Sequence, residues 1–167
     1  MTRPARVYLD KNIFIALVEQ EGLVPSLLRA LIRSKPDTLK PYFATSELTF
    51  SELVVRPYRD RDERSILTYN AMLVTSSWLE VGPVDRSVLR YAAILRADHK
   101  HLKLPDAIHI STAMGCGCSH LLTADLGIRS EYELSHDQHG TLIGPISTSV
   151  LRPDEPTLTS LLQSLAS

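Results

Sequence analysis

Short apolar runs alternate along the chain with longer segments whose apolar residues recur at helical spacing. Four of these runs have the length and composition of buried strands, and they lie at residues 6–9, 41–45, 78–81 and 119–125. Helical segments separate the runs, as the connections between parallel strands require. The pattern therefore predicts an α/β fold, a three-layer α/β/α sandwich built on a mostly parallel sheet.

Proline and glycine residues mark where several of the helices should begin or end. Apolar periodicity predicts one helix directly after the first strand, and the predicted set lies at residues 12–21, 25–33, 60–76 and 84–96. A further helix should start at Ser46 or Thr49 and end before Pro57, because proline removes a helical hydrogen bond and clashes with the preceding turn.

The stretch 103–128 contains the clearest helix and the clearest strand of the chain. Pro105 is tolerated in a first helical turn, and Gly115 is expected to end the helix. Asp106 lies near the start of this helix, and Asp125 follows the strand that comes next. Ligands of open parallel sheets bind outside the carboxyl ends of the strands, so both acids are expected at that edge.

The last 40 residues carry a weaker pattern. Residues 127–140 suggest a loop with a short helical turn, and residues 157–165 suggest a terminal helix. Residues 142–147 suggest a strand, which we place at the sheet edge because Pro145 cannot donate to a central ladder. We therefore treat residues 128–167 as a C-terminal strand and helix extension.

Composition and charge narrow the class of protein. The 167 residues fit one domain, so we expect residues 1–167 to fold together. The net charge of −1 argues against coating a long nucleic acid by charge alone, although a local basic rim is compatible with it. We expect no membrane span, no secretory signal and a cytoplasmic location. Cys116 and Cys118 are too close in sequence for an ordinary disulfide framework and suit a reducing compartment.

Four acidic residues occupy positions that the topology should bring together, and each also has an ordinary structural explanation. Asp10 follows the first strand and suits a helix cap, while Asp125 suits a turn. Thr49 and Glu52 match a capping box, and Asp106 in a first helical turn is favoured by the helix dipole. As a set, however, all four are expected to face one edge of the sheet.

Such a group of carboxylates would be costly without a compensating charge. Two carboxylates ~5 Å apart repel by about 3 kcal/mol at an effective dielectric constant of 20. Shared protons, helix dipoles or a bound dication can offset this repulsion. Oxygen ligands alone favour a hard cation such as Mg²⁺ or Mn²⁺. A divalent ion held by carboxylates beside a groove is suited to phosphodiester hydrolysis, because it activates water and neutralises phosphoryl charge.

The segments around these acids resemble a known family. In order along the chain they are YLDKNIFIALV, TSELTFSELVVRP, LPDAIHISTA and LLTAD. Their order and spacing are similar to the acidic motifs of PIN domains, most closely the small VapC-type ribonucleases of prokaryotic toxin–antitoxin pairs. The resemblance covers about residues 7–128. It implies a Mg²⁺- or Mn²⁺-dependent endoribonuclease that cleaves RNA, with a cognate antitoxin as partner and a homodimer as its oligomer.

The same resemblance assigns roles to individual residues. It implies that the catalytic and metal-binding acids are Asp10, Glu52, Asp106 and Asp125. Thr123 would supply a supporting hydroxyl. Two departures from the family pattern concern charge: Lys11 stands where a small or hydroxyl residue is common, and no further acid follows the fourth one closely. Lys11 would bring a cation near the site, and the missing acid argues against a second metal site.

Asn12 and His109 are supporting candidates with two interpretations each. Asn12 either caps the first helix or steadies Asp10 and contacts phosphate. His109 shares a helical face with Asp106. We interpret His109 first as a satisfied core histidine and second as a residue that orients a carboxylate or contacts substrate.

Residues 56–64, RPYRDRDER, offer four arginines to RNA phosphates or to acidic side chains of an antitoxin. An ordinary solvated helix start is the explanation we favour for them.

Two other classes of function compete with the nuclease. A catalytically weak or inactive PIN-like module that binds RNA or a partner protein is the alternative, because Lys11 and the absent further acid both weaken a metal site. A nucleotide-binding α/β protein lacks support, since no glycine-rich phosphate loop follows the first strand. Metal affinity distinguishes the first alternative, because a binding module has no need of Mn²⁺.

Overall fold

A central sheet organises the computed structural model, which describes residues 3–166. Its six strands in that range are β1 (Val7–Leu9), β2 (Phe43–Ser46), β3 (Leu79–Gly82), β4 (His120–Leu122), β5 (Glu131–Gln138) and β6 (Thr141–Leu151). They lie side by side in the order β3-β2-β1-β4-β6-β5. All neighbouring strands are parallel except β5 and β6, which form an antiparallel hairpin.

Helices connect the strands and complete the three layers. In the described part of the chain they are α1 (Lys11–Glu19), α2 (Leu23–Arg33), α3 (Glu47–Asp60), α4 (Glu63–Met72), α5 (Arg86–Asp98), α6 (Leu104–Gly115) and α7 (Glu155–Ala166). None of these helices has both the length and the apolar character needed to cross a membrane. The predicted three-layer α/β/α architecture with a mostly parallel sheet is confirmed.

The two faces of the sheet carry separate cores because successive side chains of a strand point to opposite faces. Val7 and Leu9 of β1 pack with α1, α2, α3 and α7 on one face. Tyr8, the residue between them, packs with α5 and α6 on the other face. All three side chains are fully buried, as a strand covered on both faces requires.

Pro57 does not end a helix, so the sequence-based prediction was wrong at this position. Helix α3 continues through Pro57 to Asp60, and the next helix begins only at Glu63. Pro57 is buried together with Leu53 and Val54, which precede it by one helical turn. We infer that burial of this face offsets the hydrogen bond that proline removes.

The C-terminal third differs most from the sequence-based prediction. Residues 131–138, predicted as loop with a helical turn, form strand β5 at the edge of the sheet. Strand β6, predicted as an edge strand, lies between β4 and β5. Pro145 is nevertheless accommodated, because β4 pairs only with Ser149–Leu151 and the β5 ladder is irregular opposite the Pro145 region. The predicted terminal helix is present as α7.

The parallel strands bring several chain segments to one edge of the sheet. Helices α1 and α3 begin directly after β1 and β2, and their N-caps are Asp10 and Ser46. Strand β4 ends beside β1, where Leu9 pairs with Leu122. Residues that immediately follow β1, β2 and β4 are therefore neighbours in space, although more than 100 residues separate the first from the last.

Close packing at Gly82 gives a test of this architecture. A Cβ atom at Gly82 would lie 2.8 Å from Thr112 Cγ2 and 3.1 Å from Cys116 Sγ. Thr112 is buried and its hydroxyl donates to Ile108, so it cannot move aside easily. We expect Gly82→Ala to lower the free energy of unfolding by about 1–3 kcal/mol.

Chemical denaturation measures this effect, and Gly115→Ala is the matched control. A Cβ at Gly115 would meet nothing within 4 Å, so that variant should be neutral or stabilised by up to about 1 kcal/mol. Equal stability of the two variants would contradict the close approach of β3 and α6.

Candidate metal centre

Asp10 is held rigidly at the end of β1. Its carboxylate caps α1, where Oδ1 accepts a hydrogen bond from the Lys11 backbone N–H at 2.7 Å. Its Oδ2 accepts from Asn12 Nδ2 at 3.0 Å and from the Thr123 hydroxyl at 2.6 Å. The side chain is only 4% exposed. Capping thus explains part of the position of Asp10, while Asn12 and Thr123 orient the carboxylate from two further segments.

Asn12 also joins the end of β4 to the start of α1. Its Nδ2 donates to Thr123 Oγ1 at 3.2 Å, and its Oδ1 accepts from the Ala124 backbone N–H at 3.0 Å. Both functional groups of the amide are therefore used inside the site. The geometry matches the interpretation that Asn12 steadies Asp10, while the side chain that accepts the cap hydrogen bond of α1 is that of Asp10 itself.

Glu52 lies one turn inside α3 and contacts two basic side chains. Its Oε1 lies 3.2 Å from Lys11 Nζ, and its Oε2 lies 2.8 Å from His109 Nε2. Burial alone would raise the pKa of Glu52, but the hydrogen bond and charge of His109, with those of Lys11, outweigh it. The pKa of this carboxyl is therefore lowered, and Glu52 stays ionised at neutral pH.

The suggested capping box at Thr49 and Glu52 is wrong. Ser46 caps α3 by accepting a hydrogen bond from the Leu48 backbone N–H, and the Thr49 hydroxyl bonds to Thr45 instead. Helix α3 starts two residues before Thr49, so Glu52 is not in the position of a capping-box acid. Its carboxylate is directed towards the edge of the sheet.

His109 links the site to the core of the protein. It is 3% exposed, as expected of a core histidine, but its partner on one side is the Glu52 carboxylate. On the other side its Nδ1 lies 2.7 Å from the hydroxyl of Tyr8, which is completely buried. An ionised Glu52 can only accept, so His109 Nε2 is the donor in the hydrogen bond between them.

Asp106 carries the least compensated charge of the site. It lies half-buried in the first turn of α6, and no hydrogen bond or ion pair to its carboxylate is found among residues 3–166. Burial raises its pKa, and the negative charges of Asp125 and Asp10 raise it further against the opposing effects of His109 and Lys103. Ionised Asp106 therefore raises the free energy of the folded protein.

Asp125 shapes the loop after β4. Its Oδ1 accepts from the Gly127 backbone N–H at 2.8 Å, while its own N–H donates to Thr123 Oγ1 at 3.0 Å. These are the turn contacts that the sequence suggested. The residue is exposed, and its charge nevertheless acts on Asp106.

The acids converge, but unequally. One donor atom from each of Asp10, Glu52 and His109 lies within 4.8 Å of the other two. Asp106 and Asp125 lie outside this group of three. Asp106 interacts electrostatically with Asp125 and with Asp10 and His109 of the group. A donor set of carboxylates with one uncompensated member fits a hard divalent cation.

The arginine-rich segment 56–64 begins one helical turn after Glu52. It forms the end of α3 and the start of α4. Arg56 pairs with Asp60 at 3.4 Å on an exposed helix face. All four of its arginines are exposed, so this segment belongs to a solvated surface.

Comparison with protein-family models gives a match over most of the chain. The family model described as PIN domain matches residues 7–132. No curated protein matches the chain in sequence.

Three solved structures share its fold at low sequence identity. A toxin–antitoxin complex from Klebsiella pneumoniae is 22% identical, with a TM-score of 0.52, over 71% of this chain and 86% of the other. VapC20 of Mycobacterium tuberculosis, described as a sarcin–ricin loop cleaving toxin, is 17% identical, with a TM-score of 0.56, over 69% and 86%. VapBC2 of Rickettsia felis, solved with promoter DNA, is 16% identical, with a TM-score of 0.54, over 72% and 88%.

The raised pKa of Asp106 predicts a stability effect in metal-free protein. A group with a raised folded-state pKa favours the fold below its unfolded pKa and loses that contribution as pH rises through the folded value. Asp106→Asn should therefore be more stable than the original chain at pH 7 and should unfold at a higher temperature. We expect its free energy of unfolding to rise by less than about 1 kcal/mol, because water screens the half-exposed group.

Thermal unfolding in the presence of a chelator, from pH 7 down to pH 3, measures the difference. The advantage of Asp106→Asn should shrink as the pH falls through the raised folded-state pKa of Asp106, and it should be absent below the unfolded value of about 4, where the aspartic acid is protonated in both states. Glu133→Gln removes an exposed acid of β5 and serves as control. A destabilised Asp106→Asn at pH 7 would show that its carboxylate is compensated in a way that this structure lacks.

Proposed function

Because the chain belongs to the PIN domain family, we propose that it is a Mg²⁺- or Mn²⁺-dependent endoribonuclease that hydrolyses phosphodiester bonds of RNA. The observation that carries this proposal is the meeting of acids from four separate segments at one edge of the sheet. Asp10 and Glu52 lie within 4.8 Å, and the charges of Asp125 and Asp10 both act on Asp106. A purely structural group of acids would be expected to place each charge opposite a cation, and Asp106 lacks one.

The proposed ligands of the ion are Asp10, Glu52, Asp106 and Asp125. A bound divalent ion would neutralise charge on the phosphate and make a coordinated water easier to deprotonate. Asn12 and Thr123 hold the Asp10 carboxylate in one orientation. His109 does the same for Glu52, with Tyr8 behind it as a buried support.

Asp106 is the carboxylate best suited to accept a proton from the attacking water. A general base needs an oxygen that is free to take up the proton, and no hydrogen bond or ion pair to the Asp106 carboxylate is found among residues 3–166. Glu52, whose pKa is lowered, is better suited to remain an ionised ligand.

The biological role that we propose is that of a toxin in a toxin–antitoxin pair, acting on cellular RNA. The support is that structures of such proteins, including a complex from Klebsiella pneumoniae, have the same fold. We further propose a cognate antitoxin as partner and a homodimer as the assembly. A neighbouring reading frame for a small DNA-binding protein would support the pairing, and its absence would limit the proposal to the nuclease.

Removal of Asp106 tests the nuclease assignment. Asp106→Asn should retain the fold and abolish Mg²⁺- or Mn²⁺-dependent cleavage of RNA, and Asp10→Asn should do the same with greater risk to the structure. Asp10 risks the fold because its oxygens accept three hydrogen bonds. Cleavage of a fluorescent single-stranded RNA, with metal removed and then restored, is the measurement.

Glu133→Gln should cleave normally and controls for the loss of one acid. Full, metal-dependent activity in Asp106→Asn would contradict the site assignment. If the original chain neither binds Mn²⁺ nor cleaves RNA, the alternative of a PIN-like binding module replaces the nuclease.

Lys11 should compete with the ion. Its ammonium forms an ion pair with Glu52 Oε1, at a distance of 3.2 Å. Water screens this ion pair only partly, because the Glu52 side chain is 20% exposed. Lys11→Met should therefore tighten Mn²⁺ binding by up to about fivefold, the equivalent of about 1 kcal/mol. Isothermal titration calorimetry at fixed ionic strength measures the dissociation constant.

Lys103→Met is the charge-matched control, because Lys103 is exposed and influences Asp106 without an ion pair to it. Its Mn²⁺ affinity should change less than that of Lys11→Met. Weaker Mn²⁺ binding in Lys11→Met would mean that this lysine assists the site.

A further inference from the structure

Arg152 ties the C-terminal hairpin to the loop that carries Asp125. This arginine directly follows β6, the strand that lies beside β4. Its Nη1 donates to the backbone carbonyl of Thr123 at 3.2 Å and to that of Asp125 at 2.5 Å. Its Nη2 donates to the carbonyl of Ile128. One guanidinium thus spans both ends of residues 123–128, which we call the Asp125 loop.

The four central residues of the Asp125 loop have few other connections to the body of the protein. Ala124, Asp125, Leu126 and Gly127 are all exposed. Contacts inside the loop shape its turn, since Asp125 accepts from Gly127 and the Ile128 N–H donates to the Asp125 carbonyl at 3.3 Å. Such local contacts fix the turn but not its position relative to the sheet. That position is set by the buried ends of the loop, Thr123 and Ile128, together with the hydrogen bonds of Asn12 and Arg152.

The hydrogen bonds of Arg152 leave the acid itself free. All three acceptors are backbone carbonyls, and no ion pair between Arg152 and Asp125 is found in residues 3–166. The carboxylate therefore keeps its negative charge available to the site. A guanidinium suits this task because its N–H donors have fixed directions, whereas those of a flexible ammonium do not.

The loop is connected to the centre of the site through Thr123. The Asp125 N–H donates to Thr123 Oγ1, and that hydroxyl donates to Asp10 Oδ2. A shift of the loop would therefore disturb Asp125 directly and Asp10 through one intermediate. Arg152 is contributed from beyond residue 132, where the family match ends.

We propose that Arg152 is a positioning residue of the metal centre, through which the C-terminal hairpin holds the Asp125 loop in its ion-binding geometry. This inference rests on the proposed function. Loss of residues that orient ligands typically weakens metal binding by 10- to 100-fold. Arg152→Met should therefore weaken Mn²⁺ binding roughly tenfold, while keeping the aliphatic part of the side chain.

The sign of this change separates positioning from simple electrostatics. Removing a cation near an acidic site should tighten the binding of Mn²⁺ if only charge matters. Arg129→Met removes an exposed cation just beyond the same loop and is the matched control, with equal or slightly tighter binding expected. Arg152→Lys retains the charge but not the guanidinium, so its affinity should lie between those of the original chain and Arg152→Met.

Two measurements decide the proposal: calorimetric titration of Mn²⁺ and hydrogen exchange of the metal-free proteins. In Arg152→Met, amides of residues 124–128 should exchange faster while those of β1 and α6 remain protected. Unchanged Mn²⁺ affinity in both Arg152 variants would overturn the inference, whatever the exchange shows. If the original chain itself binds no Mn²⁺, the proposed function fails first, and the Arg152 proposal fails with it.

Discussion

Mutual repulsion among carboxylates at one edge of the sheet is the constraint around which this protein is built. The fold offsets the repulsion unevenly. Asp10 is surrounded by hydrogen-bond donors, and Glu52 is paired with Lys11 and His109. Asp106 has no such compensation, and its pKa is raised. Stability is thus lowered at one residue of the site, which is the usual relation between stability and function at an active centre.

The support for these acids comes from chain segments that are far apart in sequence. Thr123 lies 113 residues after Asp10, and His109 lies 57 residues after Glu52, yet both pairs form hydrogen bonds. Parallel strands make this possible because their carboxyl ends meet at one edge. The C-terminal hairpin extends the same principle, since β6 runs parallel to β4 and delivers Arg152 to that edge.

Much of the fold was predictable because its signals are local. Apolar runs and helical periodicity located β1 to β4 and most helices, and strand–helix alternation predicted the layers. Strand β5 was missed although Tyr132 and Leu134 are buried in alternation with exposed residues, because the polar remainder of the segment resembles a loop. Pro57 misled the prediction of α3, since burial of its helix face depends on tertiary contacts.

The topology placed the four acids at one edge, but their partners were not deducible. The contact of His109 with Glu52 depends on how α3 and α6 pack.

The central claim is that this acidic edge binds a hard divalent cation. Anomalous X-ray scattering from crystals grown with Mn²⁺ tests it most directly, because the signal locates the ion independently of any activity. The account predicts a strong anomalous peak within coordination distance of Asp10 and Glu52, adjacent to Asp106 and Asp125. A peak elsewhere on the surface, or none at saturating Mn²⁺ in well-ordered crystals, would contradict it.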